Sequence, residues 1–237
     1  MKTVVHKANT RGHANHGWLE SHHSFSFASY FNQDRMNFGM LRVLNDDIVK
    51  PTMGFGTHPH RNMEIISIPL KGALSHKDSM GNQRSIEVGE VQAMSAGTGI
   101  THSEFNDSKT DDVNFLQLWI IPEEENVTPR YFQKEFDAEE RKNEFQTLVS
   151  YIHKPVEGSL LIHQDASIKM VDLEEGKEVS NTHNAGSGVY YFLIDGEISI
   201  ENETLSKRDA VGVWDTEISN IKANQNSKLL AIEVPMN

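Results

Sequence analysis

The 237-residue chain contains no cysteine. Disulfides, thiolate metal ligands, iron–sulfur clusters and cysteine nucleophiles are therefore excluded together, and the composition suits a reducing compartment, so a cytoplasmic location is expected. Basic residues are scarce: 22 Lys and Arg against 34 Asp and Glu give a formal charge of −12, and no basic cluster interrupts the acidic background. Non-specific nucleic-acid binding depends on neutralising phosphates, so no nucleic-acid partner is expected. Long apolar runs are missing as well. The stretch NFLQLWIIP, Asn114 to Pro122, is far too short to cross a bilayer, and no apolar core follows the basic start MKTVVHKANTRGHANHG as an export signal requires. No membrane partner is expected. Helix-period windows of useful length are also lacking from Thr52 to Pro122.

What remains is a texture of short strands. Hydrophobic residues make up 37% of the chain, enough for a substantial core, and the length suits one large β-domain or two of ordinary size. MEIISIPLKG ends at Gly72, ALSHKDSMGNQRSIEVGE pivots as a hairpin on Gly81-Asn82, and VNFLQLWIIP is a buried strand carrying Trp119. Upstream, MLRVLNDDIVKP reads as a strand that ends in an Asn45-Asp46-Asp47 turn, with Pro51 blocking continuation. Residues 123–150 break the pattern. EEENVTPRY is turn-like, and DAEERKNEFQTLVS predicts one short helix in a linker, with Asp137 as N-cap and Glu140 three residues later as in a capping box. Short strands return from Tyr151 onward. The chain divides into a first unit at 1–135 and a second at 136–237.

One stretch carries chemistry. GFGTHPHRNME sets His58 and His60 two residues apart, and GTGITHSE does the same with His102 and Glu104. In a strand, residues i and i+2 share a face, roughly 6.6 Å apart along the chain. Two such pairs on neighbouring strands of a barrel aim four side chains at one point, and three imidazoles with one carboxylate suit a divalent transition metal. A lone strand histidine is usually structural or solvated; two paired signatures in strand-rich sequence are not. Glu64 competes as the carboxylate because its parity matches His60, but a straight strand carries it roughly 13 Å away. Glu104 is the better fourth ligand.

The other histidines fit blander readings. His13, His16, His22 and His23 do not repeat a two-apart pair with a partner strand, so they read as a polar segment leading into an alternating strand, Ser24-Phe25-Ser26-Phe27, with phenylalanine facing the core. A second metal site there is the alternative. The second half reads as a faded copy of the first. Placing Gly196 of YYFLIDGEISI on Gly72 of ISIPLKGALSH puts Thr182 and Asn184 where His58 and His60 stand and leaves His183 one residue out of phase, facing the opposite side. KANQN, near the second pair, offers neither His nor Glu. A duplicated barrel with one metal site kept and one lost is the economical account; an unrelated all-β second domain is the alternative.

HPHRNME and SAGTGITHSE resemble the two cupin motifs. Together with RGHANHGWLESHHSFSFA, NDD, HKDSMGN and TPRY, they make the chain resemble a bacterial pirin-family protein. The resemblance is dense over the first unit and thin after it. It implies an all-β bicupin fold, two tandem cupin barrels of the double-stranded β-helix, jelly-roll-like type, with metal only in the N-terminal one. It places the four ligands on His58, His60, His102 and Glu104. Cupins in general take the carboxylate from the first motif, here Glu64, and have proline where this chain has Ser95, with a shorter gap before the second histidine. Both departures are what pirins show, and both favour Glu104.

The resemblance also implies quercetin 2,3-dioxygenase activity: an oxidoreductase opening the ring of flavonol-like substrates with O2. Four protein ligands on an octahedral ion leave two positions open, and Glu104 would serve as both ligand and catalytic base. Iron(II) is the expected ion, although three nitrogens and one oxygen suit copper, nickel, cobalt, manganese and zinc too. A monomer is expected. The alternative implied by eukaryotic relatives is a metal-dependent, redox-sensing regulator that binds a protein partner without oxygenase turnover.

Overall fold

The computed structural model describes residues 1–236. The first half contributes β1 (Lys2–His6), β2 (Gly12–Asn15), β3 (Leu19–His23), β4 (Leu41–Val49), β5 (Gly54–His60), β6 (Glu64–Lys71), β7 (Ala73–Asp78), β8 (Gln83–Glu87), β9 (Glu90–Ser95), β10 (Ile100–Phe105) and β11 (Val113–Ile120). After β12 (Arg130–Glu135) come β13 (Gln146–Tyr151), β14 (Leu160–Ile162), β15 (Ser167–Leu173), β16 (Glu178–Thr182), β17 (Ser187–Asp195), β18 (Glu197–Ile200), β19 (Glu203–Ser206), β20 (Ala210–Trp214), β21 (Ile218–Ala223) and β22 (Ser227–Pro235). Among the described residues the only helical turns are two 3-10 segments, Ala8–Thr10 and Ala138–Arg141.

Each half forms a seven-stranded sheet and a four-stranded one. In the first the orders are β12-β9-β6-β11-β4-β3-β2 and β5-β10-β7-β8; in the second, β1-β20-β17-β22-β15-β13-β14 and β16-β21-β18-β19. From β4 to β11 the match to β15 to β22 is strand for strand, the expected pair of cupin barrels. The barrels also exchange strands. β1 leads into the first barrel yet pairs with β20 of the second, Lys2 opposite Trp214. β12 leads into the second yet pairs with β9 of the first, Arg130 opposite Ser95. Each exchange covers a sheet edge that would otherwise present unpaired backbone groups. A linear division at 135/136 keeps β12 with its sheet but gives β1 to the barrel it does not join.

The two-residue period of the strands sorts the core. Ile66 and Ile68 of β6 turn outward and join Leu44, Leu118, Ile168, Phe192, Leu230 and Ile232 in an apolar layer between the barrels. The second lumen holds one continuous cluster, including Val189, Leu193, Ile198, Val211, Ile221 and Leu229. The first lumen is split. Leu19, Val49, Leu74, Ile86, Val113 and Phe115 fill one part, and Ile65, Met94, Ala96 and Ile100 another. Along β11, Phe115, Gln117 and Trp119 pass from the first of these through a polar position to the second. Gln117 stands between the two clusters of the first lumen, whereas the cluster of the second is undivided.

Three sequence expectations fail locally. Asn45-Asp46-Asp47 is no turn: β4 runs through it, paired with β3 and β11, because each polar side chain finds a partner. Asn45 Oδ1 meets His23 Nδ1 at 2.9 Å, Asp46 accepts from Asn114 Nδ2 at 2.8 Å and pairs with Arg208 at 2.9 Å, and Asp47 accepts from Ser21. Ser24 to Phe27 is not a strand with serine outward; Ser24, Phe25 and Ser26 are all buried, and Phe25 belongs to the layer between the barrels. The linker helix shrinks to the 3-10 turn Ala138–Arg141, where the Asp137 side chain accepts from the backbone N–H of Glu139 while the Glu140 N–H goes to the Asp137 carbonyl oxygen. Within the same stretch β13 begins at Gln146.

Candidate metal centre

The site is built on β5 and β10, which pair antiparallel with His102 opposite His58 and Ile100 opposite His60. On its other side β10 pairs with β7, setting Glu104 opposite His76 and His102 opposite Asp78. The β5 register shifts between His102 and Glu104. That irregularity needs a bare backbone beside it: a Cβ on Gly54 would lie 2.2 Å from the Glu104 carbonyl oxygen. Gly97, at φ +46°, turns the chain into β10 where a Cβ would lie 2.0 Å from the Val127 carbonyl oxygen.

The imidazoles converge. Ring centroids are 4.4 Å apart for His58 and His102, 4.8 Å for His60 and His102, and 4.9 Å for His58 and His60. One ligating atom from each of His58, His60 and His102 lies within 4.8 Å of the others, and the same holds for His76, His102 and Glu104. His102 belongs to both groups, so the four residues expected from sequence lie around one part of the lumen, with His76 as a fifth. Glu64 joins neither group. It sits on the face of β6 opposite Ile65 and Ser67, where Ser95 Oγ donates to it at 2.7 Å.

Hydrogen bonds orient these side chains for ligation. His58 Nδ1 is 2.8 Å from the Gly56 carbonyl oxygen, which assigns the proton to Nδ1 and frees Nε2. Glu104 accepts from Gln117 Nε2 at 2.8 Å and Ser67 Oγ at 3.4 Å. His76 Nε2 is 3.1 Å from Asp78 Oδ2, and its Nδ1 has no partner. His102 is 2% exposed, and neither of its ring nitrogens has a partner. An unsatisfied buried polar group costs about 1–3 kcal/mol, so this ring calls for a ligand that is not protein.

The electrostatics agree. Burial, and then His58, lower His60 to about 4, and burial followed by His58 and His60 lowers His102 further. The imidazoles of His60 and His102 are therefore neutral, with lone pairs available. Burial raises the carboxyl of Glu104, opposed by the Gln117 hydrogen bond. A dication in the lumen would reverse that preference. Three histidines, an oriented carboxylate and an orphaned buried ring together fit a divalent metal.

The wall beside His60 is apolar. Trp119 packs edge-on to it at 4.9 Å between centroids, and Met63, Ile65, Met94 and Ile100 adjoin. Phe55 and Phe115 belong to the other cluster. Trp119 Nε1 and both amide atoms of Gln92 are buried without partners.

Among the described residues the second barrel brings no such group of ligating side chains together, and it corrects the phase expected from sequence. Asn181 and His183 are buried, whereas Thr182 and Asn184 are exposed. Asn181 stands opposite Ser219 as His58 stands opposite His102. The connection from His183 to Gly196 is one residue longer than that from His60 to Gly72, so counting back from the glycines misses by one. The position of Glu104 is taken by Ile221, beside Ile200. Tyr191 fills the space: its hydroxyl accepts from Asn181 Nδ2 at 2.9 Å and lies 3.1 Å from His183 Nε2, which is also 3.0 Å from Ser219 Oγ.

Sequence reasoning missed His76, Gln117 and Ser67. His76 was within reach: His76 and Asp78 are themselves a two-apart pair in the same stretch. Gln117, the polar residue inside VNFLQLWII, was a weaker signal.

Comparison with known proteins places these features among relatives. The family model Pirin matches residues 4–120, and the model for the quercetinase C-terminal cupin domain matches residues 148–234. The quercetin 2,3-dioxygenase of Escherichia coli (strain K12) is 42% identical over 231 residues, covering 98% of each chain. A pirin-like protein of Caulobacter vibrioides is 35% identical over 222 residues, covering 94% of this chain and 95% of that one. The solved structure of the bacterial pirin YhhW from Escherichia coli in complex with nickel(II) superposes with a TM-score of 0.94 at 40% identity, covering 100% of both chains.

Proposed function

The chain belongs to the pirin family, and on that premise we propose that it is a metal-dependent dioxygenase opening the flavonol ring of quercetin-like substrates with O2. His58, His60, His102 and Glu104 hold the ion in the first barrel; residues 136–237 form the second unit, without metal. The observation that carries the proposal is the buried, unpartnered ring of His102 amid converging histidines and an oriented carboxylate. The names of the Escherichia coli relative and of the nickel complex support the substrate and the class of ion. A bound divalent ion supplies Lewis acidity and a redox path between flavonol and O2. Iron(II) is the ion we expect, and the donor set accepts nickel as readily.

The chain's own residues do the rest. Three neutral imidazoles and one carboxylate would leave a dication with one net positive charge, which favours loss of the proton from the substrate's 3-hydroxyl. Glu104, held by Gln117 and Ser67, accepts the proton of the substrate's 3-hydroxyl. Trp119, Met63, Ile65 and Met94 exclude water from the wall beside His60. Ring opening consumes one O2 and releases one carbon as carbon monoxide. The test is to incubate untagged protein, loaded in turn with iron, copper, nickel, cobalt and manganese, with quercetin under air. Loss of flavonol absorbance with equimolar carbon monoxide is expected; no metal-dependent turnover with any of the five overturns the proposal.

A further inference from the structure

A second group of ligating side chains lies outside both lumens. β2 and β3 form a hairpin at the edge of the first barrel's seven-stranded sheet, with His13 opposite His22 and Asn15 opposite Glu20. Strand alternation sends Leu19, Ser21 and His23 inward, where all three are buried, and brings His13, Glu20 and His22 together on the other face. There the His13 and His22 rings stack at 4.7 Å between centroids with an interplanar angle of 23°. His13 Nε2 lies 3.2 Å from Glu20 Oε1, and one ligating atom from each of the three residues lies within 4.8 Å of the others.

We propose that His13, Glu20 and His22 form a second, solvent-facing site for a divalent transition cation, separate from the centre in the lumen.

Metal–ligand bonds of about 2.0–2.2 Å set neighbouring donors roughly 3–3.5 Å apart; His13 and Glu20 already stand at that spacing, and His22 has a ligating atom within 4.8 Å of both. Two imidazoles and one carboxylate on adjacent strands are a donor set for zinc, nickel, copper or iron(II), with the remaining positions open to water. The side chains of His13 and Glu20 are 50% and 42% exposed, so an ion reaches the site without opening the fold. The backbone beneath is held rigid. Ser21 donates to Asp47, His23 Nδ1 meets Asn45 Oδ1 at 2.9 Å, and β3 is paired along β4 with His22 opposite Asp46. The histidines thus gain from the hairpin register the convergence that their linear spacing does not show. An ion here also clips edge strand β2 to β3.

The competing account is a His–Glu ion pair beside a stacked ring, with no affinity for metal. Untagged full-length protein stripped with a chelator and dialysed against zinc(II) distinguishes the two by metal content. Wild type is expected to bind two equivalents, and His102→Ala, which disables the lumen, to keep one. His13→Ala and His22→Gln in the His102→Ala background are expected to lose that equivalent, and Glu20→Gln to weaken it at least tenfold. With cobalt(II), visible absorption retained by His102→Ala should vanish on adding His13→Ala. A single equivalent in wild type, or an equivalent that survives both histidine substitutions in the His102→Ala background, overturns the second site and leaves the lumen proposal untouched.

Discussion

Replacing Glu64 with glutamine separates a structural carboxylate from a ligating one. Glu64 is 1% exposed on the face of β6 turned away from the first lumen, with Ser95 Oγ donating at 2.7 Å. Burial pushes its carboxyl up to about 7 from an ordinary 4.5. A raised folded-state pKa means the folded protein holds the proton more tightly than the unfolded chain does. The corresponding stability is complete below the unfolded value and is lost as pH rises through the folded one. The interval from 4.5 to about 7 amounts to about 3 kcal/mol. Glutamine has nearly the same shape and cannot ionise, so Glu64→Gln removes this loss. Urea unfolding of metal-free wild type and variant should therefore show the difference in unfolding free energy moving in the variant's favour by about 3 kcal/mol between pH 4.5 and 8. Any pH-independent offset from the amide cancels in that comparison. The variant should also keep the lumen metal. Parallel pH profiles would refute the burial argument, and loss of the lumen metal would return the ligand role to Glu64.

Other substitutions read the centre and its twin. Glu104→Gln is expected to reduce quercetin turnover at least 100-fold while weakening metal binding much less; equal activity would remove the base role. Gln117→Ala takes away the 2.8 Å donor that orients Glu104, and a metal affinity lowered about 10–100-fold in competition with a chelator is expected. Tyr191→Phe strips the hydroxyl shared by Asn181 and His183 in the second barrel; a loss of about 1–3 kcal/mol in urea unfolding is expected, with lumen metal and turnover unchanged.

Much of the site was legible because strand parity is strict. His58, His60, His102 and Glu104 follow from a two-residue period and need no knowledge of how the strands pair. Where pairing decides, sequence fell silent. Asn45, Asp46 and Asp47 look like a turn because their partners, His23, Arg208, Asn114 and Ser21, are distant in the chain. His13 and His22 look unrelated until the hairpin sets them opposite each other. β1 carries no mark that it will cross to the second barrel, since its pattern suits any sheet edge. The phase error at His183 has a different origin: one extra residue between β16 and β17 is invisible when two diverged repeats are aligned on a glycine, and it reverses which side chains face the lumen.

Anomalous diffraction from crystals of nickel-loaded protein locates the ion. A peak is expected in the first lumen, bonded at about 2.0–2.2 Å to one ring nitrogen each of His58, His60 and His102 and to a carboxylate oxygen of Glu104. A first-lumen peak ligated by Glu64, or by His76 in place of Glu104, or an empty first lumen with the ion beside His183, would contradict that ligand set.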